Sequence, residues 1–281
     1  MKNFLYFYYL QIINTNMQVD NQNEIYIINS LANFKEKVNG EFEVRFGTFV
    51  YNNETKRNNF NSGVEIPFYY NLKRALEYQK FQKTIINTTE YIYNIQNESI
   101  KKIVNNDTKE VSFMSKKRVS NKDIYDYDIR FSLSVENKLN GDRIKTVQPS
   151  IVRNKKRISF EIPIGKVDLT IVDSNYEVEL ECNKDVIYEQ LMNYINIFIQ
   201  IRQQNHILIS NYEKRNIIRI YKNLLNLKGN FFIGAQPETL QKQNISQLYK
   251  NQYSVTDKAD GDRMLLLIDE IDMYILLIIT L

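Results

Sequence analysis

The chain has almost none of the residues that build covalent cross-links or soft metal centres, with one cysteine, Cys182, and one histidine, His206, in 281 residues. A single thiol excludes an internal disulfide framework and a cysteine-based zinc site, and implies a reducing compartment. A catalytic triad or multi-histidine metal site would rest on His206 alone. That residue stands beside the apolar run Ile207-Leu208-Ile209 and reads as structural. Any metal must then be held by carboxylates, which select hard ions such as Mg²⁺ or Mn²⁺. Tryptophan is absent, and four prolines and eight glycines punctuate the chain sparsely. Long apolar runs are missing too: Phe4 to Ile13 and Met273 to Leu281 are too short to span a bilayer, and the first lacks a small-residue cleavage site. No membrane association is expected, and Met17 is an alternative start.

What is present is isoleucine, asparagine, tyrosine and lysine in abundance, with a quarter of residues charged and a formal net charge of +4. Aromatic and β-branched residues favour strands. The mild positive charge suits an anionic partner but does not identify one.

Periodicity predicts a helix over 24–36, then strict alternation from Glu41, a helix over 68–84, and strands around 90–96, 101–105, 110–118, 127–136, 153–162, 165–172 and 176–182. Asn140-Gly141-Asp142 and Asp173-Ser174-Asn175 read as turns. Helices follow over 184–204 and 211–227, then a linker over about 229–247 and a short second module. So many antiparallel strands imply a closed barrel or a sandwich.

Alternate strand side chains point to opposite faces, so each strand sorts into two rows. Glu41, Glu43 and Arg45 oppose Phe42, Val44 and Phe46, and Glu177, Glu179 and Glu181 oppose Tyr176, Val178, Leu180 and Cys182. Asp128, Arg130, Ser132, Ser134 and Glu136 form another polar row. Arg153, Lys155, Arg157 and Ser159 form a basic one, and Lys166, Asp168 and Thr170 a mixed one. These rows are either the wet faces of half-buried strands or the lining of a barrel with charges inside. Three glutamates in one row repel. Inside a barrel they resist ionising together unless a cation neutralises them. A divalent ion facing basic rows would suit attack of water on a terminal phosphoryl group.

Glu41-Phe42-Glu43-Val44-Arg45-Phe46-Gly47 and Tyr176-Glu177-Val178-Glu179-Leu180-Glu181 resemble the first and last glutamate motifs of the triphosphate tunnel metalloenzymes, specifically the RNA triphosphatases of fungal, protozoan and large-DNA-virus capping systems. Tyr127-Asp128-Ile129-Arg130 with Glu136, Lys155-Lys156-Arg157-Ile158-Ser159-Phe160 and Lys166-Val167-Asp168-Leu169-Thr170 resemble its intervening strands, and the likeness covers about residues 24–204. The resemblance implies that Glu41, Glu43 and Glu181 bind the metal, that Glu179 orients or deprotonates the attacking water, and that Arg45, Arg118, Arg130, Lys155, Arg157 and Lys166 hold phosphates. Asp128, Glu136, Asp168 and Glu177 would complete the tunnel lining.

A second motif, Thr256-Asp257-Lys258-Ala259-Asp260-Gly261-Asp262-Arg263 with Tyr253 ahead, resembles the nucleophile motif of mRNA guanylyltransferases, and Ile233-Gly234-Ala235-Gln236-Pro237 resembles the opening of that domain. It implies Lys258 as the GTP-attacked residue and Arg263 as a nucleotide contact. Only eighteen residues follow Arg263, so no independent guanylyltransferase activity is expected.

The sequence therefore predicts a mainly β (α+β) fold, a closed antiparallel β-barrel with flanking helices, followed by a truncated nucleotidyltransferase fragment. Expected bounds are an N-terminal extension over 1–23, a tunnel domain over 24–228 and the fragment over 229–281. The resemblance implies removal of the γ-phosphate from 5′-triphosphate RNA with Mg²⁺ or Mn²⁺, beside other capping subunits or domains, in a viral factory, host cytoplasm or nucleus. Alternatives are a tunnel phosphatase for polyphosphate or nucleoside triphosphates, and a non-catalytic capping subunit.

Overall fold

The computed structural model describes residue 17 and residues 19–95, 98–144, 147–229, 241–250, 252, 264–268 and 274–278. The chain divides into two compact units, Met1–Asn211 and Tyr212–Leu281. In order, the first carries α1 (Asn21–Glu36), β1 (Gly40–Phe46), β2 (Thr48–Asn52), β3 (Arg57–Asn61), α2 (Ile66–Tyr78), β4 (Lys83–Ile95), β5 (Glu98–Asn105), β6 (Val111–Ile124), β7 (Ile129–Lys138), β8 (Ile151–Ile162), β9 (Gly165–Val172), β10 (Asn175–Cys182) and α3 (Tyr188–Gln203). The second opens with α4 (Asn211–Leu224) and includes α5 (Ile245–Leu248) and a hairpin of β11 (Met264–Ile268) and β12 (Tyr274–Ile278).

Eight strands close into an antiparallel barrel in the order β1, β10, β9, β8, β4, β5, β6, β7. The apolar rows read from the sequence point outward. Phe42, Val44 and Phe46 of β1, Phe131 and Leu133 of β7, and Val178 and Leu180 of β10 are buried under Ile27, Leu31 and Phe34 of α1, Leu72 and Leu76 of α2, and Ile195 and Phe198 of α3. The hydrophobic core thus lies outside the barrel, between its wall and the helices. The interior is left to the polar rows, the reverse of a small barrel filled by apolar side chains. Helix ends have local causes: Asp20 caps α1 by accepting from the Asn23 amide at 2.8 Å, and Pro67 sits in the first turn of α2.

Four elements depart from the sequence expectation. The helix expected to Thr84 stops at Tyr78, because Lys80 turns left-handed at φ 58° and the chain from Lys83 pairs with β8, Lys83 against Phe160. The strand expected to end at residue 118 continues to Ile124 through a bulge between Arg118 and Ser120. Between β1 and α2 a separate hairpin of β2 and β3 was not anticipated. The expected turn at residue 140 becomes a short 3₁₀ helix, Gly141–Ile144.

The β9–β10 ladder, which carries half of the acidic rows, begins at Gly165 opposite Cys182. Gly165 has φ +153°, and a Cβ there would stand 2.0 Å from the Glu181 carbonyl oxygen, so the ladder admits no side chain at this corner. Gly165→Ala is expected to destabilise the barrel by about 2 kcal/mol or more, read as a lowered thermal midpoint.

Candidate active site inside the barrel

Register alone brings the charged rows together. Glu43 pairs with Glu181 and Arg45 with Glu179 across β1 and β10, and Glu179 in turn faces Asp168 of β9. On the far wall, Glu90 of β4 lies opposite Arg153 of β8. Glu43, Glu90 and Asp168 expose only 4, 5 and 3% of their surface. Charges so far from water must be paired, and the pairs form one connected lining. Arg45 Nη2 lies 2.9 Å from Glu43 Oε1. Lys116 Nζ of β6 touches Glu41 and lies 3.2 Å from Glu43 Oε2 and 3.5 Å from Glu136 Oε1. Arg153 and Lys155 hold Glu90 at 2.8 and 3.1 Å. Arg157 lies 3.2 Å from Asp168, which also accepts from Ser159 Oγ at 2.6 Å, and Lys166 lies 2.8 Å from Glu181.

The sequence-assigned residues fall as follows. Glu41, Glu43, Arg45, Glu136, Lys155, Arg157, Lys166, Asp168, Glu179 and Glu181 lie in this lining. Glu177 sits at one mouth, accepting from Ser62 Oγ at 2.7 Å. Arg130 is gripped by Asp123 at 2.6 and 2.9 Å at that same end, and Arg118 is exposed. Asp128 is a correction. It stands before β7 in the left-handed region at φ 56°, and its carboxylate accepts from the Phe49 amide and from Asn211 Nδ2 rather than lining the tunnel. Lys258, Arg263 and residues 233–237 lie outside the described residues.

Sequence reasoning missed Lys116, Lys101, Glu90 and Asp123. Polar residues occupy both faces of β4 and β5, which hides their period. The bulge in β6 shifts the face count by one, so Asp123 faces inward along with Lys116. Closure itself is the usable signal, since every barrel strand must present one row to the interior.

The electrostatics of the carboxylates differ. Burial, then Glu179, pushes Glu43 above the usual carboxylate range against the pull of Arg45 and Lys116. Glu136 is also raised, by burial and Glu41. Burial acts on Glu179 in the same sense, but Arg45, Arg157, Lys155 and Lys116 outweigh it and hold Glu179 low. Glu90 is held low against its burial by Lys155, Lys101 and Arg153. Lys116 is pushed up to about 12: burial opposes the charge, and Glu43 and Glu41 more than restore it. Burial lowers Lys101 and Lys155.

Whether a divalent cation suits this lining can be asked of the donors. Among the described residues no three metal-ligating side chains converge; Lys116 and Lys166 hold the glutamates instead. The donor set is nevertheless all hard oxygen: Glu43 and Glu181 face each other across β1 and β10, with Glu41 on the same row of β1. The chemistry fits. For an anion, the buried Arg45 Nε lies 3.1 Å from Glu179 without hydrogen-bond alignment, leaving a donor without an aligned acceptor.

The chain is similar to known proteins in sequence and in fold. The family model described as "mRNA capping enzyme, beta chain" matches residues 13–214, and "mRNA capping enzyme, catalytic domain" matches residues 203–278. A "Probable mRNA-capping enzyme" of Acanthamoeba polyphaga mimivirus is 31% identical over 156 residues, covering 50% of this chain and 13% of that protein. The chain therefore spans about an eighth of that relative. The S. pombe Pct1 RNA triphosphatase matches in structure with a TM-score of 0.51 at 20% identity, over 67% of this chain and 95% of that one. The mimivirus capping enzyme triphosphatase gives 0.49 at 17% identity, over 66% and 98%. No helix of the described residues is long and apolar enough to cross a membrane.

The opposite shifts of Glu90 and Glu43 give opposite stability effects. Glu90, depressed when folded, stabilises above its ordinary value of about 4.5 and loses that contribution as pH falls below it. Glu43, raised when folded, carries a cost above its folded value that vanishes as pH falls toward 4.5. In metal-free protein at neutral pH, Glu90→Gln should lower stability by about 3 kcal/mol and Glu43→Gln should raise it. Both differences should close on acidification, as read by denaturant unfolding across pH.

Proposed function

The chain belongs to the mRNA capping enzyme beta-chain family, and on that premise we propose that its barrel is an RNA 5′-triphosphatase, releasing the γ-phosphate of nascent RNA to leave a 5′-diphosphate end. The observation that carries this reading is the closed barrel whose interior alternates buried carboxylates with lysine and arginine rows. Such a lumen has charge for a polyphosphate and a cation together. Glu41, Glu43 and Glu181 would hold the metal, Mg²⁺ or Mn²⁺, in keeping with the family's general dependence on metal. When bound, the ion supplies Lewis-acid neutralisation of phosphate oxygens.

The chain's own groups supply the rest. Lys155, Arg157, Lys166 and Arg45 grip phosphate oxygens, and the missed residues Lys116 and Lys101 add two more cations from strands β6 and β5. Transfer of charge to the leaving diphosphate is stabilised by groups already fixed in place by their own ion pairs. Glu179, held ionised by four cations, accepts a hydrogen bond from the attacking water and aims it. Its low pKa suits orientation better than full proton removal. Burial of Glu43, Glu90 and Asp168 in the barrel wall strengthens the interactions these groups make.

Residues after Asn211 we assign to the beginning of the nucleotidyl-transferring domain, with Lys258 as nucleophile and Arg263 as a nucleotide contact. The likeness to the mimivirus protein supports placing the chain in the capping system of a large DNA virus, beside further capping domains, in a viral factory, host cytoplasm or nucleus.

The test is phosphate release from γ-labelled 5′-triphosphate RNA with Mg²⁺ or Mn²⁺. Glu179→Gln and Glu43→Ala are expected to slow release at least about a hundredfold, and chelation to abolish it. Absence of release by the unaltered chain overturns the reading, and much faster turnover of inorganic polyphosphate than of RNA would reassign the substrate.

A further inference from the structure

The two mouths of the barrel differ in chemistry. Strand β6 runs the length of the tunnel, from Val111 at one mouth to Asp123 at the other. At the Asp123 mouth the polar groups are already engaged. Asp123 takes both guanidinium bonds of Arg130, whose plane lies 4.6 Å over Phe60 and 5.9 Å over Phe49 of the β2–β3 hairpin, and Glu177 accepts from Ser62. At the Val111 mouth the interior wall changes character. Ile86 of β4 and Ile103 of β5 sit on the inward rows, the first opposite Arg157 and the second opposite Glu90. With Val111, Thr88, Ser112 and Arg157 they line a cavity of about 550 Å³.

We propose that this vestibule receives the 5′-terminal nucleoside of the RNA, so that the triphosphate is threaded inward from the β4–β5–β6 mouth and not from the hairpin mouth. The inference rests on the triphosphatase reading and adds a direction to it. A nucleoside has apolar faces, a polar rim and one phosphorylated end. The half-buried isoleucines offer aliphatic surface for the faces, the hydroxyls of Thr88 and Ser112 meet the rim, and the cavity is of the size that small ligands fill. The phosphorylated end has a continuous path. Arg157 lies beside Ile86 and Lys155 beside Thr88 in the β4–β8 ladder, so the basic row begins at the level of Ile86 and runs on into the lumen. Ile86 and Ile103 are half-buried on these inward rows, and covering them with a base removes apolar surface from water.

The experiment uses the full chain and 5′-triphosphate RNA bearing 4-thiouridine as its first nucleotide, irradiated and mapped by mass spectrometry. Cross-links are expected to residues 86–90 and 103–112, which line the vestibule. Cross-links to the hairpin, residues 48–61, or none at all, overturn the proposal. Kinetics give a second readout: the double variant Ile86→Ala/Ile103→Ala should raise KM for RNA about tenfold relative to KM for inorganic tripolyphosphate. An equal change for both substrates, or no change, counts against it. If no phosphate is released from either substrate, the triphosphatase reading fails, and the cross-link map, which needs only binding, still decides the mouth.

Discussion

Everything in the barrel follows from one electrostatic constraint: charges placed in a narrow interior must neutralise one another there. A carboxylate moved from water into such a space costs several kcal/mol unless an opposite charge and hydrogen bonds meet it. The fold accepts that cost because the strands' apolar rows face outward and are covered by α1, α2 and α3. The hydrophobic burial that stabilises the unit is thereby separated in space from the polar machinery. Replacing a lumen charge disturbs a network of ion pairs, whereas replacing Phe42 or Leu180 disturbs the wall that holds the network in register.

Neutrality within the lining is also uneven, and the unevenness is informative. Around Glu90 cations prevail, and its carboxyl is held low; around Glu43 burial and neighbouring carboxylates prevail, and its carboxyl is held high. Carboxylates are thus most crowded around β1, and cations along the row of β8. Lys116 stands among Glu41, Glu43 and Glu136 as an internal counter-ion.

Much of this was legible in the sequence because strands with one apolar and one charged row announce themselves by a period of two. Glu41 to Phe46 and Tyr176 to Cys182 are of that kind, and their faces fall as the alternation requires. Lys83–Ile95 is not: threonine, asparagine and tyrosine alternate with isoleucine on both faces, so Lys83 and Thr84 read as the end of a helix and the strand is recognised only from residue 90. Only pairing with β8 settles it. Asp128 misled for a different reason. It continues the polar row of β7 by count, but a left-handed residue ahead of a strand breaks the count, and no pattern of side-chain types reports a backbone angle.

The bulge in β6 shows how a local irregularity sets the chemistry of a whole mouth. Strict alternation from Lys116 would carry inward positions to residues 118, 120 and 122 and turn Asp123 out. The extra residue between Arg118 and Ser120 shifts the register by one, so that Asp123 lies opposite Arg130 and faces inward. The bidentate pair that results presses the guanidinium onto Phe60, and with it the β2–β3 hairpin is anchored to the barrel rim. No such pair forms at the start of β6, where Val111 and Ser112 leave the interior open. A single inserted residue therefore separates a mouth whose charges are spent on holding a hairpin from one whose basic row remains accessible to a ligand.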